Sequence, residues 1–329
     1  MTVSTQAPPA PARPAGSPGT AAGLDPGELD GLRTVRARHP WRWAAGIAAL
    51  VVLVQFIHGL ATNPAWDWAT FRLYFTADTI LQAIGRTLEL TAYGTVLGFA
   101  LGAVVAAMRL SRSAILRTLA WAYVWVFRSI PLIVQLVFWF NLSYLYKRFG
   151  FGIPFGPTFG EFETVGVLGA LGAAVLGLGL HQAAFAAEII RGGVIAVDAG
   201  QREAAAALGI PRGRQAWRIV LPQAMRSILP AAANEVISLL KGTSVVYVMA
   251  IGELFYQAQV IYGRTGRVVP LLMVATVWYV VLTTVLSIGQ YYVERYFSRG
   301  ARRTPPPTPL QRLRAFARSL PARTSGGTS

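Results

Sequence analysis

The chain has 329 residues, of which 54% are hydrophobic and 13% are charged, with a mean hydropathy of +0.47 and a net charge of +16. Soluble domains carry about 25% charged residues, so this composition excludes an ordinary soluble protein and indicates one that crosses a membrane several times. Cysteine is absent and the histidines His39, His58 and His181 are scattered, which excludes disulfides and a cysteine nucleophile and argues against a metal centre.

The N-terminal part is predicted to be a tail followed by one separate span. Residues 1–40 are rich in Pro, Ala and Gly without apolar periodicity, so we expect a disordered tail. The first span runs from about Trp43 to Leu60, too deep in the chain for a secretory signal. Residues 62–76 form an outer connection, and we treat residues 41–76 as one unit, an added helix with its outer loop.

The second predicted span, from about Leu88 to Met108, contains a ladder of small residues. Gly94, Gly98 and Gly102 recur every four residues, the spacing that lets two membrane helices approach closely. Arg86 and Glu89, three residues apart at its outer end, are expected to pair with each other.

The third predicted span, from about Leu119 to Leu145, is too long for one straight crossing. Phe127–Pro131 interrupts it, where Arg128 is followed closely by a proline. Proline removes a backbone hydrogen bond, and an arginine at membrane depth is costly unless it is paired or solvated. We therefore expect a break that lines a cavity, after which residues 147–164 return outside.

Three more spans and a basic tail complete the predicted organisation. The spans run from about Val165 to Ile190, Ala232 to Leu254 and Val268 to Gly289. Residues 191–230 form a polar segment between the first two of these spans. Residues 294–329 are expected to be a basic, disordered tail, so residues 77–293 hold the main membrane domain.

The placement of the basic residues predicts the orientation. With the N-terminus in the cytoplasm, the inner segments hold 22 basic residues and the outer segments six. Positive charge concentrates on the cytoplasmic side of membrane proteins, so both tails and the segment 191–230 are predicted to be cytoplasmic. The basic residues are distributed according to the side of the membrane and are not gathered on one binding face, which argues against nucleic acid as a partner.

The segment 191–230 contains a short predicted helix with signals at both ends. Asp198 with Gln201 three residues later indicates a capping-box start, and Gly209 with Pro211 indicates a stop. About ten residues are too few for a helix that is stable alone, so we expect another element or a partner to hold it. Pro222 is expected to end a second helix before the fifth span.

The spacing of this segment is specific. Glu203-Ala204-Ala205, then Gly209, Ile219 and Leu221-Pro222, resembles the cytoplasmic coupling motif of importer-type ABC-transporter permease subunits. Further segments resemble the polar amino-acid permeases of the histidine/glutamine/arginine type, and they cover residues 86–88, 126–136, 187–193, 221–224 and 234–244. Trp125 and Gly242 depart from this pattern, because acids are common there in the family.

The resemblance implies an all-α polytopic protein of the bacterial cytoplasmic membrane. It has six transmembrane helices, an extra N-terminal one plus the five-helix core of a type I importer permease, and a cytoplasmic coupling helix. The implied function is alternating-access import of polar amino acids, driven by a dimer of separate ABC ATPase subunits. The other implied partners are a second copy or a sister permease, an extracytoplasmic solute-binding protein, the amino-acid substrate and membrane lipid.

The chain lacks the P-loop that ATP hydrolysis requires, because Lys147 follows Tyr146 and Lys241 follows Leu240. We therefore predict that it is not an enzyme and has no cofactor or metal of its own, with ATP and Mg bound by the partner. The residues expected to couple to that ATPase are Gly200, Gln201, Glu203, Ala204, Ala205, Gly209, Ile219, Leu221 and Pro222.

Polar side chains at membrane depth are functional candidates by default. The candidates for the substrate pathway are Arg128, Gln135, Glu188, Asn234, Glu235, Lys241, Thr243 and Ser244. For each of them, helix pairing, a satisfied kink or an interfacial position is the structural alternative. The alternative functions are a gated membrane channel and a membrane-embedded enzyme; the latter needs a carboxylate pair, a Ser/His set or a metal site, and none is evident.

Overall fold

The computed structural model describes residues 40–153 and 156–297, and most of them are helical. The predicted tails fall largely on residues 1–39 and 298–329, which lie outside the described residues. Two boundaries are corrected: the first helix begins at Pro40, and the last helix continues to Phe297, past the expected start of the C-terminal tail at residue 294.

The chain divides into two units between Asn63 and Pro64. In the first unit, helix α1 covers Pro40–Thr62, and large apolar side chains along it, such as Ile47, Val52 and Phe56, are more than half exposed. Such exposure is typical of a helix whose surroundings are lipid. The described part of the first unit therefore matches the predicted first span.

The second unit contains the remaining elements. Its helices are α2 (Trp68–Phe75), α3 (Asp78–Arg109), α4 (Ala114–Ser129), α5 (Leu132–Phe140), α6 (Leu142–Leu145), α7 (Thr164–Val167), α8 (Ala170–Ile195), α9 (Ala199–Ala207), α10 (Arg212–Gln215), α11 (Leu221–Gly242), α12 (Leu254–Thr265) and α13 (Val268–Phe297). Short 3₁₀ segments cover Pro64–Trp66 and Thr243–Met249, and a π-helical turn covers Ala216–Val220. Among the described residues, four helices are long and apolar enough to cross a membrane, or up to six if each of two bent pairs counts as one span.

Helices α3 and α8 pack along the glycine ladder, as predicted. A Cβ atom added at Gly98 would lie 2.5 Å from the Cβ of Gln182, and one added at Gly102 would lie 2.6 Å from the Cβ of Ala186. These distances leave no room for a side chain. The glycines therefore set how closely the two backbones approach.

The predicted break in the third span is confirmed. Helix α4 ends at Ser129, α5 begins at Leu132, and the two axes are bent by 102°. Pro131 precedes the first residue of α5, where its missing amide hydrogen costs nothing.

The prediction for the fifth span is wrong at both ends. Helix α11 already begins at Leu221, ends at Gly242 and is followed by the 3₁₀ segment, and a 46° bend separates this part from α12. Pro222 does not end a helix, because the π-helical turn Ala216–Val220 runs directly into α11 and the helical backbone continues through the proline.

Other boundaries also move. The second span is longer than expected, since α3 begins at Asp78, and the fourth is shifted, since α8 begins at Ala170 after a separate turn at α7. An unexpected antiparallel hairpin pairs β1 (Arg148–Gly152) with β2 (Thr158–Glu163) in the segment predicted to return outside.

The outer connection belongs with the second unit, which corrects the predicted unit 41–76. Phe75 stacks on Trp278 of α13 with the ring centroids 4.9 Å apart, and the Trp278 indole donates to the Phe75 carbonyl at 2.8 Å. Asp67 caps α2 and also receives Arg267 at 2.6 Å. Hydrogen bonds from Thr70, followed by the charge of Arg267, lower the pKa of Asp67.

The α3–α8 contact makes a testable prediction. We expect Gly98→Ala to lower the free energy of unfolding by about 1–3 kcal/mol, because the added methyl overpacks the seam. Gly85→Ala in the same helix is the matched control, since nothing lies within 4 Å of its Cβ position. Thermal unfolding of the purified protein in detergent measures both, and an equal melting temperature for the two variants would contradict the tight seam.

Candidate functional site

The segment 191–230 holds the short helix that was predicted there. The Asp198 carboxylate accepts a hydrogen bond from the Gly200 amide at 2.7 Å, which confirms Asp198 as the N-cap. Gln201 contributes its backbone amide, which donates to the Asp198 carbonyl at 3.2 Å. The start of α9 is thus fixed by local hydrogen bonds.

The predicted stop is confirmed and has a definite geometry. Gly209 adopts the left-handed conformation with φ of 66°, its amide donates to Ala206, and the Ile210 amide donates to Ala205. This hydrogen-bond pair is the Schellman motif, which satisfies the last carbonyls of a helix and favours glycine at the turn. Pro211 then leads into α10.

The α9 surface differs from the expectation at one alanine. Ala205 is only 3% exposed, so it packs inside this chain and is not free to meet a partner. Gly200, Gln201, Glu203 and Ala204 are exposed. Within the described residues, no ion pair engages Glu203.

The residues that follow α9 and α10 in this segment pack against the membrane helices. Ile219 and Leu221 are partly buried and Pro222 is exposed, whereas Val220 joins a buried cluster with Val197, Ala224 and Ile228. A Cβ atom at Gly193 of α8 would overlap the Ile228 side chain of α11. The π-helical turn after α9 is therefore packed between the C-terminal end of α8 and the start of α11.

Gln135 forms hydrogen bonds at the break between α4 and α5. Its amide nitrogen donates to the carbonyls of Phe127 and Ile130, both at 2.8 Å, and lies 3.2 Å from Nδ1 of His181. The break frees these carbonyls from helical bonding, and a buried carbonyl without a donor is costly. The contacts of Gln135 thus favour the structural alternative, a satisfied kink.

Arg128 is exposed beside the same break and faces α8 and α11. Its guanidinium carbon lies 5.1 Å from the ring centroid of Phe185, a cation–π contact. Glu235 of α11 is partly buried and interacts electrostatically with Arg128. Two candidates from distant parts of the chain are thereby brought together with opposite charges.

Glu188 lies in a network of charges near the C-terminal end of α8. It pairs with Arg191 at 2.7 Å and with Arg109 of α3 at 3.3 Å. Glu188 and Arg128 also line one cavity of about 350 Å³, whose remaining walls are formed by Arg109, Trp121, Val124, Trp125 and Ser129. The structure therefore brings Arg128, Glu188 and Glu235 into one region around α8.

The remaining candidates lie along α11 and its end. Asn234 and Lys241 are exposed, and no side-chain hydrogen bond or ion pair is found for either of them among the described residues. Thr243 and Ser244 donate to the carbonyls of Leu240 and Lys241 at 2.7 and 2.8 Å, which ties both hydroxyls to the helix end. These two hydroxyls have local structural partners.

Two further features escaped the sequence analysis. His181 and Phe185 lie one turn apart on α8, facing Gln135 and Arg128, and no local pattern announces partners that come from α4 and α5. Glu253 is completely buried at the start of α12, inside the segment that was predicted to be an uninterrupted fifth span.

Comparison with known proteins identifies the family. Residues 98–299 match the model of the family described as "Binding-protein-dependent transport system inner membrane component". The chain is 41% identical over 269 residues to the arginine transport system permease protein ArgU of Corynebacterium glutamicum, covering 81% of this chain and 83% of that protein. It is 35% identical to the arginine transport system permease protein ArtQ of Bacillus subtilis, covering 66% and 91%.

Solved structures share the fold. A crystal structure of an amino acid ABC transporter with histidines aligns with a TM-score of 0.57 and 31% identity, covering 66% of this chain and 94% of that chain. A bacterial alginate ABC transporter in complex with a pentasaccharide-bound periplasmic protein aligns with a TM-score of 0.56 at 15% identity, a likeness of fold alone.

The contacts of Gln135 make a second testable prediction. Gln135→Leu removes the donor for two carbonyls, so we expect a loss of about 1–3 kcal/mol in the free energy of unfolding for each carbonyl left unsatisfied. Asn141→Leu is the control, because Asn141 makes one exposed bond to a helix carbonyl. Thermal unfolding in detergent measures the difference, and equal stability of both variants would show that Gln135 does not hold the break.

Proposed function

The chain belongs to the family of binding-protein-dependent transport system inner membrane components, and on this basis we propose that it is the membrane-spanning permease subunit of an importer for polar amino acids. The substrate class is inferred from the similarity to amino-acid permeases over most of the chain, including two relatives named for arginine. The proposal places the protein in the cytoplasmic membrane with both termini in the cytoplasm.

The energy for transport comes from a separate pair of ABC ATPase subunits, which bind the ATP and Mg. Helix α9 docks on that pair and acts as the coupling helix. Its exposed residues Gly200 and Ala204 leave room for close approach, Gln201 offers an amide, and Glu203 offers a carboxylate for a charge-assisted contact. Gly209 holds the turn, and the cluster around Val220 carries the movement into α8 and α11.

The substrate passes along the region around α8. Arg128 suits a substrate carboxylate, and Glu235 or Glu188 suits an amino or guanidino group, because opposite charges at membrane depth replace lost solvation. Asn234 and Lys241 line the same route on α11. A second copy of the chain or a sister permease completes the passage, and an extracytoplasmic solute-binding protein delivers the amino acid.

The coupling role is tested with Glu203→Ala. We expect it to lower substrate-stimulated ATP hydrolysis and uptake by about tenfold or more in liposomes that contain the assembled complex, because the loss of one buried charge-assisted contact costs 1.5–3 kcal/mol. Glu294→Ala is the matched control, an inner-end glutamate outside α9. Unchanged ATPase association and uptake in Glu203→Ala would contradict coupling through α9, and uptake without any ATPase would indicate a channel instead.

The pathway is tested with Arg128→Gln and Glu235→Gln. We expect each to raise the half-saturating amino-acid concentration for uptake by about tenfold, because each removes one charged partner of the substrate. Arg112→Gln is the control, an exposed arginine in the turn between α3 and α4. Wild-type uptake curves for both pathway variants would remove Arg128 and Glu235 from the route.

A further inference from the structure

Glu253 is a buried carboxylate that the proposed coupling and substrate routes leave unused. Its side chain is 0% exposed, and it accepts hydrogen bonds from the amides of Phe255 at 2.9 Å and Tyr256 at 2.6 Å. The Tyr279 hydroxyl of α13 donates to the same carboxylate at 3.0 Å. All three of these partners are donors, which matches the acceptor-only chemistry of an ionised carboxylate.

The group lies toward the outer end of the second predicted span. Thr87, which contacts the start of α12, stands between Arg86 and Glu89, and these two charged residues pair with each other at 2.5 Å. Inside the protein, Glu253 is nevertheless shielded from solvent. A carboxylate buried in this way is costly unless hydrogen bonds compensate it, so its partners define its role.

Hydrogen bonds with α13 and with α3 hold the start of α12. Tyr279 binds Glu253 from α13, and the Leu254 amide donates to the Thr87 hydroxyl of α3 at 3.1 Å. Leu254 and Ala258 belong to a buried cluster with Ile80 of α3 and with Leu271 and Val274 of α13, and aromatic rings of α2 pack against it. We call this set, formed by α2, α12 and the outer halves of α3 and α13, the outer cluster.

The residues just before Glu253 belong to another cluster. Met249 and Ile251 pack with Leu136 of α5, Leu178 of α8 and Leu239 of α11, which we call the central cluster. Within this stretch, Ala250 adopts the left-handed conformation with φ of 55°. Gly252 separates Ile251 of the central cluster from Glu253, and nothing lies within 4 Å of its Cβ position. The 46° bend of the chain falls at this link.

We propose that Glu253 is a positioning residue that fixes α12 in the outer cluster, and that Gly252 is a hinge between the outer and central clusters during transport. The proposal rests on the proposed permease function. The link suits a hinge because it has backbone freedom at Gly252 and few contacts, while both of its ends are held in buried clusters.

The first experiment compares Glu253→Gln, Tyr279→Phe and the control Tyr292→Phe in the reconstituted complex. An amide in place of the carboxylate sets its NH₂ group against one of the backbone donors, whereas Tyr279→Phe keeps the helix cap and removes only the bond to α13. Tyr292 is exposed on the same helix, so its variant controls for the loss of a hydroxyl.

We expect Glu253→Gln and Tyr279→Phe to lower the maximal uptake rate about tenfold while the half-saturating amino-acid concentration stays within about twofold of wild type, because a hinge acts on turnover rather than on binding. Tyr292→Phe is expected to match wild type. A fall in uptake that only parallels a loss of assembled complex, or a change in half-saturation alone, would overturn the positioning role.

The second experiment measures the hinge itself. The chain contains no cysteine, so pairs of introduced cysteines accept spin labels without background. Gly263→Cys on α12 is paired with Leu145→Cys on α6 in one variant and with Leu73→Cys on α2 in the other, all at exposed positions. The labelled complex is compared without nucleotide and with ATP under conditions that block hydrolysis.

We expect the 263–145 distance to change between these states and the 263–73 distance to stay constant. Glu253→Gln is expected to broaden the 263–73 distance, because α12 then loosens from the outer cluster. A constant 263–145 distance in a complex that transports would overturn the hinge and leave the proposed function intact. Failure of the wild-type complex to take up any amino acid would instead contradict the proposed function.

Discussion

The close approach of α3 and α8 is the contact on which the rest of the structure depends. Lipid tails are as apolar as the helix surfaces, so burial from water does not drive two membrane helices together, and van der Waals packing must do so. Gly98 and Gly102 of α3 leave the space that Gln182 and Ala186 of α8 fill. With α8 held there, its other faces support α4 and α5 on one side and α11 on another.

Two bent spans pack against α3 and α8. At each bend, a different polar side chain forms hydrogen bonds with the backbone groups that the bend leaves without helical partners. At the first, Gln135 donates to carbonyls that the 102° bend has freed. At the second, Glu253 accepts from amides that begin a new helix after the 46° bend. A donor serves the end of one helix and an acceptor serves the start of the next, because helix ends expose carbonyls and helix starts expose amides. Polar residues at membrane depth are thus used here to keep irregular backbone satisfied.

The accuracy of the sequence predictions follows the range of the interactions involved. The ends of α9 were predictable because Asp198 and Gly209 act on amides and carbonyls within a few residues. The break at Arg128 was predictable because a proline and an arginine coincide there. Pro222 was misread, since a proline after a π-helical turn can stand inside a continuous helical stretch instead of ending it. The fifth span was misread because its apolar run continues across the second bend, and composition does not record backbone direction.

The sequence by itself determined the membrane class, the approximate spans, the glycine ladder and the caps of helix α9, because these depend on composition and on neighbours within one or two helical turns. Only the tertiary structure decided what the buried polar groups do. Gln135 meets His181 across 46 positions, and the Leu254 amide meets Thr87 across 167. Ala205 turned inward and Glu253 became a helix cap for the same physical reason: burial and hydrogen-bond partners are set by which distant helices pack together, and no local pattern encodes that packing.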